Sequence, residues 1–199
     1  MIDKPFSESC VQNRDPILAV LREWFADRRH VLEIGSGTGQ HAVYFAPELP
    51  HLVWQTADVP QHHAGIRAWL DDAALSNVLP PLALDANDTI WHGGRYDAVF
   101  SANTLHIMGW AEVEQCFAGI GAVLEAGGVL VIYGPFNYNG NFTSDSNARF
   151  DAWLKGRDPA SGVRDFEAVD ALARAQGLIL QQDIAMPANN RTLVWHRKN

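Results

Sequence analysis

The stretch that most constrains the fold of this chain is an apolar run that leads into three alternate glycines and then into a helical pattern. Its residues are Val31-Leu32-Glu33-Ile34-Gly35-Ser36-Gly37-Thr38-Gly39-Gln40-His41. Glycine tolerates positive φ and has no Cβ to hold a ligand away, but each one costs about 0.5–1 kcal/mol of entropy relative to alanine. Three glycines within five residues are expected where a ligand must approach the backbone, so we predict a ligand-binding turn between a strand and a helix. A plain strand-turn-helix corner is the alternative.

The glycine spacing separates this motif from two other nucleotide-binding patterns. The chain has E-x-G-x-G-x-G, whereas dinucleotide-binding folds use G-x-G-x-x-G and P-loops use G-x-x-x-x-G-K-[ST]. The acidic Glu33 at the end of the strand separates them further. A nicotinamide-dependent oxidoreductase is therefore disfavoured, and it would require tight binding of NAD.

Composition limits the classes of partner. The 199 residues, 47% of them hydrophobic, fit one domain over residues 1–199. A net charge of -8 repels phosphate, so we expect no nucleic-acid partner. No apolar run approaches roughly 18 residues and the N-terminus lacks a signal-peptide pattern, so we expect a cytoplasmic protein without a membrane partner. Cys10 and Cys116 form no C-x-x-C pair, so neither a disulfide framework nor a zinc site is indicated.

Strand-like runs alternate with helical patterns, which is typical of a layered α/β domain with a largely parallel sheet. We predict strands over residues 31–34, 52–56, 80–84, 96–101, 129–133, 178–185 and 192–196. We predict helices over residues 16–26, with Asp15 as N-cap, and over 40–46, 65–74, 112–125 and 166–175. The turn at 187–190 predicts an antiparallel hairpin of the last two strands.

Two segments outside these elements are candidates for the substrate side. Residues 134–160 are rich in Gly, Asn, Ser and Asp and predict an active-site loop region, in which scattered aromatic residues argue against disorder. Residues 1–16 are polar but contain aromatic and proline anchors, so they predict an N-terminal lid or substrate segment. A polar loop before the first helix is the alternative for residues such as Asn13 and Arg14.

The glycine motif resembles motif I of class I S-adenosylmethionine-dependent methyltransferases. The segments 4–17, 103–107, 134–140, 146–151 and 186–190 are similar to an uncharacterised methyltransferase-like family of bacteria and animals. The resemblance covers nearly the whole chain. It implies a Rossmann-like three-layer α/β/α sandwich with a mostly parallel seven-stranded sheet and a C-terminal antiparallel hairpin. It also implies S-adenosylmethionine as cofactor and S-adenosylhomocysteine as product.

Cofactor-binding positions follow from this resemblance together with the strand ends, where a Rossmann-like ligand lies. Asp58 ends the second strand, where a carboxylate accepts hydrogen bonds from ribose hydroxyls, and Asp85 ends the third, where the family often binds the adenine amino group. Either residue also suits a simple turn. The predicted cofactor-binding residues are Glu33, Gly35, Ser36, Gly37, Gly39, Asp58, Asp85 and Asn103.

The segment 101–107 follows the fourth strand and is the best place to look for chemistry. The resemblance gives Asn103 and His106 candidate catalytic roles, with His106 either a general base or a pocket-lining histidine. The pattern Asn/Asp-Pro-Pro-Tyr is absent from this position, which disfavours methylation of amino groups on nucleobases or glutamine. We predict no metal site, because the histidines 41, 62, 63 and 92 lack ligand spacing.

The sequence thus favours methyl transfer from S-adenosylmethionine to a small or medium-sized acceptor, because an acidic chain with a polar, aromatic loop suits an enclosed pocket. The alternative is a regulatory module that binds S-adenosylmethionine without turnover.

Overall fold

Apolar strands and amphipathic helices alternate along the computed structural model, which describes residues 4–88, 91 and 94–198. His92 lies outside the described residues. The helices are α1 Glu8–Trp24, α2 Gln40–Glu48, α3 His63–Ala73, α4 Trp110–Val123, α5 Asp145–Arg157 and α6 Phe166–Ala175. The strands are β1 His30–Ile34, β2 Val53–Asp58, β3 Val78–Ala83, β4 Tyr96–Ala102, β5 Leu124–Gly134, β6 Phe136–Asn137, β7 Arg164–Asp165, β8 Leu178–Met186 and β9 Asn190–Arg197.

Seven strands form the main sheet in the order β3-β2-β1-β4-β5-β9-β8. Strands β1 to β5 pair in parallel, whereas β9 runs antiparallel to both β5 and β8. A short 3-10 helix, Pro187–Asn189, closes the β8–β9 hairpin. The predicted fold class, a mostly parallel seven-stranded sheet with a C-terminal antiparallel hairpin, is confirmed.

Alternate side chains of the central strands pack into two separate cores, as the period of two along a strand requires. Leu130 and Ile132 of β5 join residues of α4 and α6, such as Phe117 and Val169, on one face of the sheet. Val129 and Val131 join residues of α1 and α2 on the other face. The sheet is thus covered by helices on both faces, which leaves the carboxyl ends of the parallel strands as the place for a site.

The predicted start of the first helix at residue 16, with Asp15 as its N-cap, is wrong. Helix α1 begins at Glu8 after Ser7, and Pro16 lies inside it. Proline removes one backbone donor from a helix. Here tertiary contacts hold the polar first turns in place, since the Ser7 amide donates to Gln40 Oε1 at 2.6 Å and Asn13 is buried against His41.

The prediction that residues 134–160 form a loop is also wrong, because much of this region has regular secondary structure. This region contains β6 and the 13-residue helix α5. Ser144 caps α5, because its Oγ accepts the Asn147 amide at 3.1 Å. The abundance of Asn, Ser, Asp and Gly led to the loop prediction, although one of these serines, Ser144, marks the start of a helix.

A buried polar pair attaches α6 to the sheet. Trp195 of β9 is fully buried, and its Nε1 donates to Asp170 Oδ1 at 2.9 Å. The other oxygen of Asp170 accepts from Arg174 Nε at 2.6 Å. Each oxygen of this carboxylate therefore has a donor inside the chain.

The exchange Trp195→Phe tests this attachment. It leaves a buried carboxylate oxygen short of a donor and opens a small void, so we expect the free energy of unfolding in urea to fall by about 2–4 kcal/mol. The control Trp153→Phe changes a tryptophan that is 53% exposed and should alter stability by less than about 0.5 kcal/mol. Equal losses in the two variants would contradict the assigned role of the Trp195 indole.

No helix within the described ranges is both long enough and apolar enough to cross a membrane.

Candidate active site

The glycine turn after β1 has the backbone that its sequence predicts. Gly35, Gly37 and Gly39 have φ of 70°, 58° and 89°. A Cβ on Gly35 would lie 2.6 Å from Thr104 Oγ1, so close packing as well as φ requires glycine there. A Cβ on Gly37 would meet only the Gly35 carbonyl oxygen, at 4.0 Å. The space above Gly37 is therefore open to a ligand.

Glu33 lies beneath this turn. It is 2% exposed, and its Oε2 accepts from Trp54 Nε1 and from Ser36 Oγ, each at 3.0 Å. Ser36 Oγ in turn accepts the Ala57 amide at 3.1 Å. Burial raises the pKa of Glu33 to about 7, although the hydrogen bonds from Trp54 and Ser36 lower it. This carboxylate joins β1, β2 and the turn from behind.

A cavity of about 1380 Å³ opens above the turn at the carboxyl ends of the parallel strands. Pockets for one drug-sized ligand are roughly 300–1,000 Å³, so this cavity has room for two ligands side by side. Glu33 and Gly39 are outside its lining. The predicted site residues that line it are Gly35, Ser36, Gly37, Asp58, Asp85, Asn103 and His106.

Asp58 forms one polar edge of the cavity. Its Oδ2 accepts the Gly37 amide at 2.6 Å, and its Oδ1 accepts the Val59 amide and His62 Nδ1, each at 2.8 Å. A carboxylate has about four acceptor sites. Three of them are used, so Asp58 retains acceptor capacity on Oδ2 for a hydroxyl group of a ligand.

Asp85 forms a turn and also lies on the cavity wall. Its Oδ1 accepts the backbone amide and the side-chain amide of Asn87, at 2.9 and 3.1 Å, which makes a tight turn after β3. The same residue lines the cavity. Asn87 also donates to Glu112 Oε1 at 3.1 Å and so connects this turn to the start of α4.

The segment after β4 places Asn103 and His106 on the cavity wall. Asn103 has a φ of 57°, a left-handed conformation that asparagine tolerates better than most residues, and its amide donates to the Tyr133 carbonyl at 2.9 Å. His106 is 7% exposed and meets the ring of Phe150 edge-on at 5.2 Å. Burial, together with the charge of Arg164, lowers the pKa of His106 to about 4. Its imidazole is neutral at pH 7 and is a weak base.

Arg164 holds this segment in place, and sequence analysis missed it. Its guanidinium donates to the carbonyls of Leu105, Met108 and Ala160. The adjacent residues Ser161 and Gly162 donate to the carbonyls of Ile107 and His106 at 2.9 Å. No local motif marks Arg164, because only the folded chain brings it against a segment so distant in sequence.

A second polar wall combines the N-terminal helix with the last hairpin. Asn13 Oδ1 accepts from His41 Nε2 at 2.8 Å, and both residues line the cavity. Burial raises the pKa of the Tyr133 hydroxyl, while hydrogen-bonding contacts with Asn13 and Asn190 oppose that rise. The N-terminal segment is thus part of the cavity wall, and Lys4 fastens it to α3 through an ion pair with Asp72 at 2.5 Å.

Of the four histidines considered for a metal, the three that the structure describes have hydrogen-bond partners within the chain. His41 bonds to Asn13, His62 to the carboxylate of Asp58, and His63 Nε2 to the Asp58 carbonyl at 2.9 Å. In the part of the chain that the structure describes, no three His, Cys, Asp or Glu side chains form a group that could hold a metal ion.

Comparison with known proteins identifies the family of this chain and solved structures with a similar fold. The model of the family described as "Protein of unknown function (DUF938)" matches residues 4–197. The chain belongs to this family. Its fold is that of class I S-adenosylmethionine-dependent methyltransferases, as three solved structures show.

An O-methyltransferase family protein from Burkholderia thailandensis superposes with a TM-score of 0.84 at 19% identity, over 96% of this chain and 58% of that chain. The S-adenosylmethionine-dependent methyltransferase SibL, without ligand, gives 0.80 at 20% identity, over 96% and 56%. An O-methyltransferase family 2 protein from Planctomyces limnophilus in complex with apigenin gives 0.82 at 14% identity, over 95% and 57%. The chain therefore spans a little over half the length of these proteins.

The raised pKa of Glu33 predicts a pH-dependent stability. Folding raises this pKa from about 4.5 to about 7, so the folded state keeps a proton that the unfolded chain releases at lower pH. The stabilising contribution is complete below the lower value and is lost as pH rises through the higher one. Relative to Glu33→Gln, the wild-type free energy of unfolding should therefore fall across this range and stay level above it. Urea titrations across that range measure the difference, and a difference independent of pH would refute the assignment.

Removal of the Arg164 charge should raise the pKa of His106. Arg164→Gln takes away a nearby positive charge that opposes protonation of the imidazole. Titration of the His106 ring protons by NMR measures the shift. The control Arg149→Gln, at an exposed arginine of α5, should leave this pKa unchanged. An unaltered pKa in Arg164→Gln would show that burial alone lowers it.

Proposed function

We propose that this protein binds S-adenosylmethionine and transfers its methyl group to a small or medium-sized acceptor. The observation that supports this most directly is the hydrogen bond from the Gly37 amide to Asp58. Both residues line a cavity that is large enough for a cofactor and an acceptor. One half of the cavity is built from the glycine turn and the ends of β2 and β3. The other half is built from α1, β5, α5 and the last hairpin.

The residues of the first half fit this cofactor. The open space above Gly37 admits a ligand against the backbone, and Asp58 retains acceptor capacity for a ribose hydroxyl. Asp85 also lines the cavity and would accept from the adenine amino group, and Asn103 lines it at the end of β4, next to the acceptor half. Asp58, Asp85 and Glu112 all line the cavity, and their negative charges favour a cationic ligand.

When bound, the cofactor supplies a methyl group on a sulfonium, so the protein mainly positions the acceptor and manages its proton. Asn103 and His106 lie on the wall between the two halves. A neutral His106 can accept a hydrogen bond from an acceptor hydroxyl and orient it. Its lowered pKa makes it a weak base, so it suits an acceptor whose own group is acidic, such as a phenol.

The solved neighbours also support the proposal. They are named as O-methyltransferases or as an S-adenosylmethionine-dependent methyltransferase, and one of them holds apigenin, a small molecule. The net charge of -8 makes nucleic acid an unfavourable substrate and is compatible with a small-molecule acceptor.

Calorimetric titration with S-adenosylmethionine and S-adenosylhomocysteine tests the cofactor half. We expect both to bind, and we expect Asp58→Ala to weaken binding by about tenfold to a hundredfold through loss of charge-assisted hydrogen bonds. Gly37→Val should abolish binding, because a β-branched residue is strained at a φ of 58° and fills the open space. The control Asp71→Ala, at an exposed carboxylate of α3, should bind normally. A wild-type protein that binds neither compound would rule the proposal out.

Turnover is measured separately, as formation of S-adenosylhomocysteine from S-adenosylmethionine in the presence of a small-molecule cell extract. The wild type should form it and Gly37→Val should not. Tight binding without product would identify the chain as a regulatory module instead.

A further inference from the structure

One face of α5 forms the outer wall of the acceptor half of the cavity. The residues on this face recur at the three- and four-residue spacing of a helix, and their character changes along the axis from polar to aromatic to cationic. They are Ser146, Asn147, Phe150, Trp153, Leu154 and Arg157. The polar end is fixed to the last hairpin, because Asn147 Nδ2 donates to the Asn189 carbonyl at 3.0 Å.

The aromatic part of this wall is a continuous ladder. The ring of His106 meets Phe150 edge-on at 5.2 Å, and Phe150 stacks on Trp153 at 5.8 Å with 17° between the ring planes. The guanidinium carbon of Arg157 lies 4.8 Å from the centre of the Trp153 ring. The ladder runs from His106, which is 7% exposed, to Trp153, which is 53% exposed. It therefore leads from the inner wall of the cavity to its mouth.

The outer end of the ladder carries the positive charge of Arg157. Among the described residues that line the cavity, Arg157 is the only lysine or arginine, while Asp58, Asp85 and Glu112 are the carboxylates. No described carboxylate lies within 4.0 Å of its guanidinium. Lys155, two residues earlier on the same helix, is paired with Asp151 at 2.7 Å. The cation–π contact with Trp153 thus holds Arg157 at the mouth and leaves its hydrogen-bond donors free for a ligand.

We propose that the acceptor is a flat aromatic carboxylate, an inference that rests on the proposed function. Its carboxylate would pair with Arg157 at the mouth, because a guanidinium presents parallel donors that match the two oxygens of a carboxylate. Its ring would lie along Phe150 and Trp153. Its methyl-accepting group would then lie at the inner end, beside His106 and Asn103. A net charge of -8 would otherwise repel such an anion, so Arg157 decides this specificity.

The test compares para-hydroxycinnamate with its methyl ester, which has the same ring and phenol but no negative charge. Calorimetry with S-adenosylhomocysteine-loaded wild type should show the acid to bind at least about tenfold more tightly than the ester. Arg157→Gln should lower the affinity for the acid to that for the ester and leave the ester unchanged. Arg149→Gln, on the same helix but outside the cavity lining, should keep the preference for the acid.

Equal affinities of acid and ester in the wild type, absence of binding by the acid, or equal effects of the two arginine substitutions would overturn the inference. Binding of S-adenosylhomocysteine is measured on every variant and should be unchanged in Arg157→Gln. If S-adenosylhomocysteine binds normally and the wild-type protein does not prefer the acid to the ester, only the inference on the acceptor fails. The acid and ester are also compared without S-adenosylhomocysteine, so Arg157 is tested even if the cofactor proposal fails.

Discussion

The buried carboxylate of Glu33 holds the site together from below. One of its oxygens accepts from the indole of Trp54 on β2 and from the hydroxyl of Ser36 in the glycine turn. The Ser36 hydroxyl also accepts from the Ala57 amide, and the amides of Gly35 and Ser36 donate to the Ala57 carbonyl. Burial of this side chain is tolerated because Oε2 has two donors, and these donors come from the segments that must stay in register. The Gly37 amide reaches Asp58 because this arrangement fixes the turn against β2.

The two halves of the cavity are held by different means. The half at β1, β2 and β3 is built from neighbouring parallel strands, whose carboxyl ends meet at one edge of the sheet. The acceptor half is assembled from segments far apart in the chain. Arg164 and Ser161 hold the segment around His106, Asn13 brings in the N-terminal helix, and Asn147 fixes α5 to the last hairpin. Substitutions that affect these links should change acceptor binding more than cofactor binding.

This difference explains which features could be predicted from the sequence. The glycine turn, the polar strand ends and the closing hairpin follow from local patterns of a few residues, and the fold implied by the resemblance to class I methyltransferases is confirmed. Helix α1 begins earlier than its apolar pattern, because Gln40 and His41 hold its polar first turns. Helix α5 has the composition of a loop, but Ser144 caps its first turn and the fold buries its residues Asn147, Asp151 and Leu154. Arg164 has no local signal at all. For Glu33, the position beneath the turn depends on partners in β2 that a local pattern does not specify.

The structure of the protein bound to S-adenosylhomocysteine tests the central claim most directly. We expect the ligand to lie over Gly35–Gly39, to place its ribose hydroxyls on Asp58, and to direct its sulfur toward Asn103 and His106 and the acceptor half. A ligand bound without contact to the glycine turn, or with its sulfur directed away from the wall formed by β4, β5 and α5, would contradict the account.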